Sequence, residues 1–431
     1  MIATVPGILG SSDGIVIAGN HRDAWIAGGA GDPNSGSAAL LEVAGAMAEM
    51  RSKGWSPTRD IILASWDGEE YGLLGSTEWV EDHAKHLSEN AIAYINLDVG
   101  ATGSHFISSA NPLLFDLIHG ATAKVPIGDP TEGRTIANSG WSGRISTLGS
   151  GSDYTAFQDF LGIPSSDMSF KNDGADSVWM YHSNYDSFSW MEMFGDRGFV
   201  HHEAVARLWG VMLVRLSTSD ILPLNITRYA EDLERYLGRI KGSHGQTLKD
   251  FSAKGIKKDW LAASSVSGQG LDAYGNPSTF AYSRSNELPG DKDEDPFNLS
   301  PLPEIFSSLR HDAVQFMDSV DHLKSIISDY LTKEPTPWNY IPRLILWWSV
   351  SAVNKAMRKF DRAWVDEGGL GGGRSWFKHV VYAPGRWTGY AGVVLPALGE
   401  SWEDEDINAW NKGKKTIADA GERARKVVGG H

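Results

Sequence analysis

The sequence predicts an α/β domain built on a mixed, mainly parallel sheet flanked by helices, followed by a second, mainly helical domain. Three observations carry that expectation. Short β-branched apolar runs alternate with helical patterns over residues 14–98, each run ends in His, Asp or Glu, and beyond Leu222 the apolar spacing turns helical over long stretches.

The first run, GIVIAG at 14–19, leads into Asn20-His21-Arg22-Asp23 and reads as a buried strand feeding a polar loop. From Asn34 to Met50, Leu40, Val43, Ala44, Met47 and Met50 recur at helical spacing, with Asn34 or Ser35 as the expected cap. DIILASW at 60–66 is a second strand, ending at Asp67-Gly68-Glu69-Glu70; residues 72–87 follow with a helical pattern. AIAYINL at 91–97 is a third strand, ending at Asp98. Strand, helix, strand, helix, strand at these lengths implies parallel crossover units. Further on come a Gly-rich turn with a helix in LGSGSDYTAF (148–157), the loop carrying Tyr181-His182-Ser183, and a helix over 199–216. This first domain is expected to span 1–220 and the helical one 221–431. Within the latter, 240–300 is rich in Gly, Ser, Lys and Asp, and helices are expected over 303–331, 342–364 and 407–428.

Composition narrows the function. The chain has 431 residues with 54 acidic against 39 basic side chains, a formal net charge of −15, so nucleic acid and anionic membrane surfaces are not expected partners. There is no cysteine, which excludes disulfides, thiolate nucleophiles and cysteine metal sites; any metal must sit on His and carboxylates. No stretch reads as a signal or transmembrane segment.

In open parallel sheets, ligands bind beyond the carboxyl ends of the strands. Those ends carry His21 and Asp23, Glu69 and Glu70, and Asp98, with Asp32 and His182 on neighbouring loops. Singly, each has an ordinary reading: Asp32-Pro33-Asn34 is a common turn, Glu69-Glu70 a solvated acidic pair, His182 a loop imidazole. Together, two imidazoles and three acids satisfy the count for two Zn²⁺ sharing one carboxylate. Asp23, two residues after His21, would be the carboxylate that holds the His21 tautomer. His83, His86, His201 and His202 lack such partners in sequence and read as surface or packing residues.

The segments GNHRDAW, GAGDPNSGSAALLE, ASWDGEEYGLLGSTEW, AYINLDVG, LGSGSDYTAF and YHSNYD resemble, in order and spacing, the co-catalytic zinc exopeptidases, in particular the glutamate carboxypeptidase II and transferrin receptor branch. LPLNITRYA near 222 and KHVVYAPGRWTGYAG near 378 extend the resemblance into a helical dimerisation domain. The resemblance implies a zinc-exopeptidase fold and two zinc ions, one on His21, Asp32 and Asp98 and the other on Asp32, Glu70 and His182. It further implies Glu69 as general base and Tyr181 as a hydrogen-bond donor to the developing oxyanion. Leu73, Gly151, Ser152 and Tyr390 match substrate-binding positions, and Glu78 and Glu81 match two calcium-binding acids. The implied partners are a peptide substrate and a second copy of the chain, and the implied location is a membrane-anchored or secretory-pathway full-length form, facing the extracellular space or the vacuole.

Some positions depart from the branch. The loop expected after Leu161-Gly162-Ile163 offers Ser166, Asp167, Met168 and Ser169 where glutamate-preferring members place arginines, Gly389 stands for the lysine before Tyr390, and Ser152 stands where Asn is usual. The branch also carries an anchor and an inserted protease-associated domain ahead of the first zinc strand, whereas Met1 precedes that strand by a short segment, so a chain shortened on its N-terminal side is expected. The expectation is therefore a zinc exopeptidase, carboxypeptidase rather than aminopeptidase by branch, with a catalytically weak or inactive receptor-like dimerisation protein as the alternative.

Overall fold

A computed structural model describes residues 1–254, 297–331 and 340–429, with side chains over 1–242, 297–330 and 342–429. Most of the polar stretch expected over 240–300 lies outside the described residues.

Six strands form one sheet: β1 (Ile2–Val5), β2 (Ile15–His21), β3 (Asp60–Trp66), β4 (Ala91–Asn96), β5 (His105–Ala110) and β6 (Ser165–Lys171), in the order β1-β3-β2-β4-β6-β5. The pairs β2–β3, β2–β4 and β4–β6 are parallel, while the outer strands β1 and β5 pair antiparallel with β3 and β6. β2 is buried at every residue, as a central strand covered on both faces must be, which is why GIVIAG reads as a continuous apolar run. Alternation sends Val16 and Ala18 into the core on one face and Ile15 and Ile17 into the core on the other.

β1, β5 and β6 were not expected from the sequence. β6 carries Ser166, Met168 and Ser169 into buried positions, so the segment expected as a pocket loop is a sheet strand whose polar residues mask its period. Helix α1 (Asn34–Ser52) buries Ala39, Leu40, Val43 and Met47. Neither expected cap serves it: the helix begins at Asn34 itself, Pro33 stands at the cap position, Asn34 Nδ2 donates to Gly28 O, and Ser35 Oγ donates to Gly31 O. The helical stretch over 72–87 divides at His83 into α2 (Leu74–Asp82) and α3 (Ala84–Asn90). Then follow α4 (Phe115–Thr122), the single turn α5 (Phe188–Trp190) and α6 (Val200–Thr218), whose Trp209 donates to Ile95 O in the core.

The C-terminal part is helical: α7 (Ile226–Lys254), α8 (Leu302–Leu331), α9 (Tyr340–Phe360), α10 (Pro396–Glu403) and α11 (Ile407–Val428). Phe306, Leu309, Ala313, Phe316 and Val320 of α8 are buried at helical spacing, together with Trp364 and Trp410. Packing runs on past residue 220, since one apolar cluster joins Val16 and Trp209 to Tyr229, Phe306 and Trp364. The hairpin of β7 (Tyr382–Pro384) and β8 (Gly392–Val394) returns to the sheet domain: Lys378 and His379 N–H donate to Asp159 O, and Ser150 N–H donates to Tyr390 O. No helix of the described residues is long and apolar enough to cross a membrane.

Candidate active site

The parallel strands end together, and their loops converge. β2 delivers His21, whose ring is buried; its Nδ1–H donates to the main-chain oxygen of Asp23 at 2.9 Å, which turns Nε2 towards two carboxylates. Nε2 lies 2.9 Å from Asp98 Oδ1 and 3.1 Å from Asp32 Oδ1. One N–H serves one acceptor well, and here it serves Asp98, leaving the buried Asp32 Oδ1 without a hydrogen-bond partner. Asp32 Oδ2 lies 3.2 Å from His182 Nε2, and Glu70 Oε2 lies 3.1 Å from the same nitrogen. The two groups His21–Asp32–Asp98 and Asp32–Glu70–His182 each bring one ligand atom per residue within 4.8 Å of one another, with Asp32 common to both.

Local structure explains the placement. Asn20 Nδ2 donates to Leu97 O and Asp98 O and its Oδ1 accepts from Ser37 Oγ, lashing the ends of β2 and β4 to α1. The tautomer role expected of the Asp23 side chain falls instead to its carbonyl. Its carboxylate, with Oδ1 3.6 Å from Nδ1, accepts the main-chain N–H of Glu69 and of Glu70 at 3.1 Å each and so aims that loop. Glu70 Oε1 accepts from Trp25 N–H, leaving Oε2 for His182. His182 itself sits at φ 52°, a left-handed backbone that a non-glycine residue rarely adopts.

Without a cation this concentration of acid is costly, and the site meets it with protons. Burial opposes protonation of His21, yet the adjacent carboxylates of Asp32 and Asp98 outweigh it and push its pKa up to about 12. Burial, reinforced by the charge of Asp98, pushes Glu69 up to about 9, and burial with the charge of Asp32 raises Glu70. Asp98 goes the other way: burial would raise it, but the hydrogen bond and charge of His21 hold it below the usual range. An orphaned buried oxygen, two imidazoles and three carboxylates that call for positive charge fit a divalent cation of the zinc type.

The remaining expected residues scatter. Tyr181 stacks on His182 with centroids 3.7 Å apart and is half-exposed beside the groups above. Leu73, at φ 59°, turns the chain into α2. Gly151, at φ 107°, lies under the exposed ring of Tyr390, where a Cβ would meet Cδ1 at 2.6 Å. Ser152 is only 3% exposed, and its hydroxyl accepts from Asn96 Nδ2 at 2.9 Å. Glu78 and Glu81 are exposed on α2, and Glu81 accepts from Trp376 Nε1. His201 and His202 both donate from Nδ1 to Asp196, away from these groups.

Two features escaped the sequence reading. Asp186, buried, accepts the N–H groups of Gly31 and Asp32 and Trp179 Nε1, pinning the Asp32 loop to the His182 loop; its signal was the last residue of YHSNYD. Trp25 and Tyr71 pack together, and Trp25 also stacks against His182, forming an exposed aromatic wall.

Residues 2–194 match peptidase family M28 and residues 297–428 match the transferrin receptor-like dimerisation domain. A protein of Arthroderma benhamiae named "Probable glutamate carboxypeptidase" is 35% identical over 90% of this chain and 45% of its own length. An Arabidopsis thaliana protein, also named a probable glutamate carboxypeptidase, is 31% identical over 95% of this chain and 52% of its own. The chain therefore spans about half the length of these relatives. A solved zinc aminopeptidase from Bacillus subtilis is 20% identical, covers 49% of this chain and 48% of its own, and has a TM-score of 0.38.

Proposed function

We propose that this chain, whose residues 2–194 match peptidase family M28 and whose residues 297–428 match the transferrin receptor-like dimerisation domain, is a dizinc exopeptidase releasing a terminal residue from small peptides. The observation that carries this reading is Asp32, whose two oxygens face different imidazoles, 3.1 Å from His21 Nε2 and 3.2 Å from His182 Nε2. A carboxylate so placed suits two ions better than one.

His21, Asp32 and Asp98 would hold one zinc, and Asp32, Glu70 and His182 the other. Zinc, when bound, supplies Lewis-acid polarisation of a carbonyl and lowers the pKa of coordinated water towards neutrality. Glu69 acts as the general base. Buried and adjacent to the ligands, it accepts a proton from the attacking water and returns it to the leaving amine, so the peptide bond breaks to a free amine and a carboxylate. Tyr181 donates from its hydroxyl to the oxyanion as it forms. The Trp25–Tyr71 wall and Tyr390 flank the peptide, and the names of the relatives favour release from the carboxyl end. The dimerisation domain supports a homodimer.

The test is zinc content per chain together with hydrolysis of a dipeptide and blocked-dipeptide panel, wild type against Glu69→Gln. About two zinc ions in both proteins, with turnover reduced about 10²–10⁴-fold in the variant, is the expected result. A wild-type chain that takes up no zinc on reconstitution rejects the metal reading. Turnover that survives in Glu69→Gln rejects the base assignment.

A further inference from the structure

The rim of the metal groups carries more exposed aromatic surface than the proposed chemistry uses. Tyr71, Trp25, His182, Tyr181 and Trp179 form one run of rings with successive centroids 5.5, 5.9, 3.7 and 5.0 Å apart, and Trp25 and Tyr181 both stack on the imidazole at 21°. Tyr71 is 65% exposed, Tyr181 54% and Trp25 46%, and Ile26 and Met180 beside them are exposed as well. Single apolar side chains on a surface are ordinary, whereas a contiguous patch of them marks a place that another apolar group covers.

The wall is continuous with the metal groups. Trp25 and Ile26 line one recess together with Asp32, Glu70 and His182, and the main-chain N–H of Trp25 donates to Glu70 Oε1 at 2.9 Å. Tyr71 directly follows Glu69 and Glu70, so one turn presents an acid of the metal group and an exposed ring. The loops that carry Trp25 and Tyr181 are tied to each other, since Ala30 N–H donates to Asp186 O and Gly31 N–H to the Asp186 carboxylate. Apolar surface held in place in this way loses little freedom when it is covered. Arg22, three residues before Trp25, is already taken, by Asp67 Oδ2 at 2.7 Å and Ser65 O at 3.0 Å. A carboxylate laid on the wall would therefore lose water against the negative faces of the rings and the carboxylate of Glu70.

We infer that Trp25 and Tyr71 are specificity-determining residues that receive an apolar or aromatic side chain from a peptide residue beside the scissile bond, and that the site discriminates against an acidic side chain there. This rests on the exopeptidase reading above and names the substrate class of the same site.

The experiment uses the zinc-loaded full chain and a panel of blocked dipeptides with Phe, Leu, Lys or Glu at each of the two positions in turn. At one position kcat/KM for Phe and Leu should exceed that for Glu by about 10–100-fold, the range expected for one buried apolar side chain. Tyr71→Ala should remove most of that preference through KM, with Glu substrates, zinc content and urea midpoint unchanged, and Tyr71→Phe, which keeps the ring, should retain it. Calorimetric binding of the same panel to Glu69→Gln should follow the same order. Turnover that favours Glu, or a Tyr71→Ala loss shared equally by every substrate, overturns the inference alone. So does unchanged selectivity in Tyr71→Ala with an altered sedimentation profile, which makes the wall an interface between copies. A chain without turnover that still binds Phe peptides more tightly than Glu peptides, and loses that preference in Tyr71→Ala, rejects the catalytic reading and keeps this one. A chain that neither binds nor cleaves any member of the panel overturns both.

Discussion

The main-chain N–H of Asp32 donates to Asp186 Oδ2 at 3.1 Å, so the residue whose carboxylate faces two imidazoles is gripped from behind by a second, buried carboxylate. Asp186 also accepts from Gly31 N–H and Trp179 Nε1–H. Asp186→Ala strands buried donors, and the expected loss is about 1–3 kcal/mol of stability, read from the urea midpoint. Zinc affinity should fall with it, because the Asp32 and His182 loops are no longer held in register.

Asp32 is common to both groups and His182 belongs to one. Asp32→Ala should therefore lower zinc content at both positions, whereas His182→Ala should lower it at one. Elemental analysis of the dialysed proteins distinguishes the two, and equal zinc loss in both variants would contradict a shared Asp32.

Asp196 offers a pH test away from the site. Burial would raise its pKa, but hydrogen bonds from the rings of His201 and His202 and from the main chain of His202 hold it well below the ordinary value of 3.8. A depressed folded pKa means that the stabilisation is fully present above the unfolded value and is lost as pH falls from there through the folded one. Asp196→Asn should lower the urea midpoint near neutrality and flatten its fall in acid. A wild-type acid slope in the variant would remove Asp196 from this role.

Glu69 carries the opposite sign. In the metal-free protein its pKa rises from 4.5 to about 9, so between those values the folded state keeps a proton that the unfolded state has released, and stability falls as pH rises. Glu69→Gln removes that titration. Metal-free Glu69→Gln should thus be more stable than metal-free wild type near neutrality, with a flatter midpoint against pH. Equal slopes for the two metal-free proteins would refute it.

Much of the positioning of the site was written into local pattern. Val16, Ala18, Ile61 and Leu63 are buried wherever the strand falls in a sheet covered on both faces, and a parallel strand must end at the rim where His21, Glu69 and Asp98 stand. β6 was not legible, because Ser166 and Ser169 are buried polar residues and interrupt the apolar period on which strand recognition depends. The break at His83 was hidden for the converse reason: the helical spacing continues through it, and the turn is a matter of backbone angles that spacing does not record.

By itself the sequence determined the fold class, the strands that carry acids and imidazoles to one rim, and the residue types available there, because side-chain periodicity and strand polarity are local properties of the chain. Tertiary structure alone decided which oxygen of Asp32 meets which imidazole, that the Asp23 carbonyl and not its carboxylate accepts the hydrogen bond from His21 Nδ1–H, and that Ser152 turns inward to Asn96. Those choices depend on hydrogen-bond geometry between segments far apart in the chain, where a rotation of one side chain exchanges one acceptor for another and leaves every spacing in the sequence unchanged.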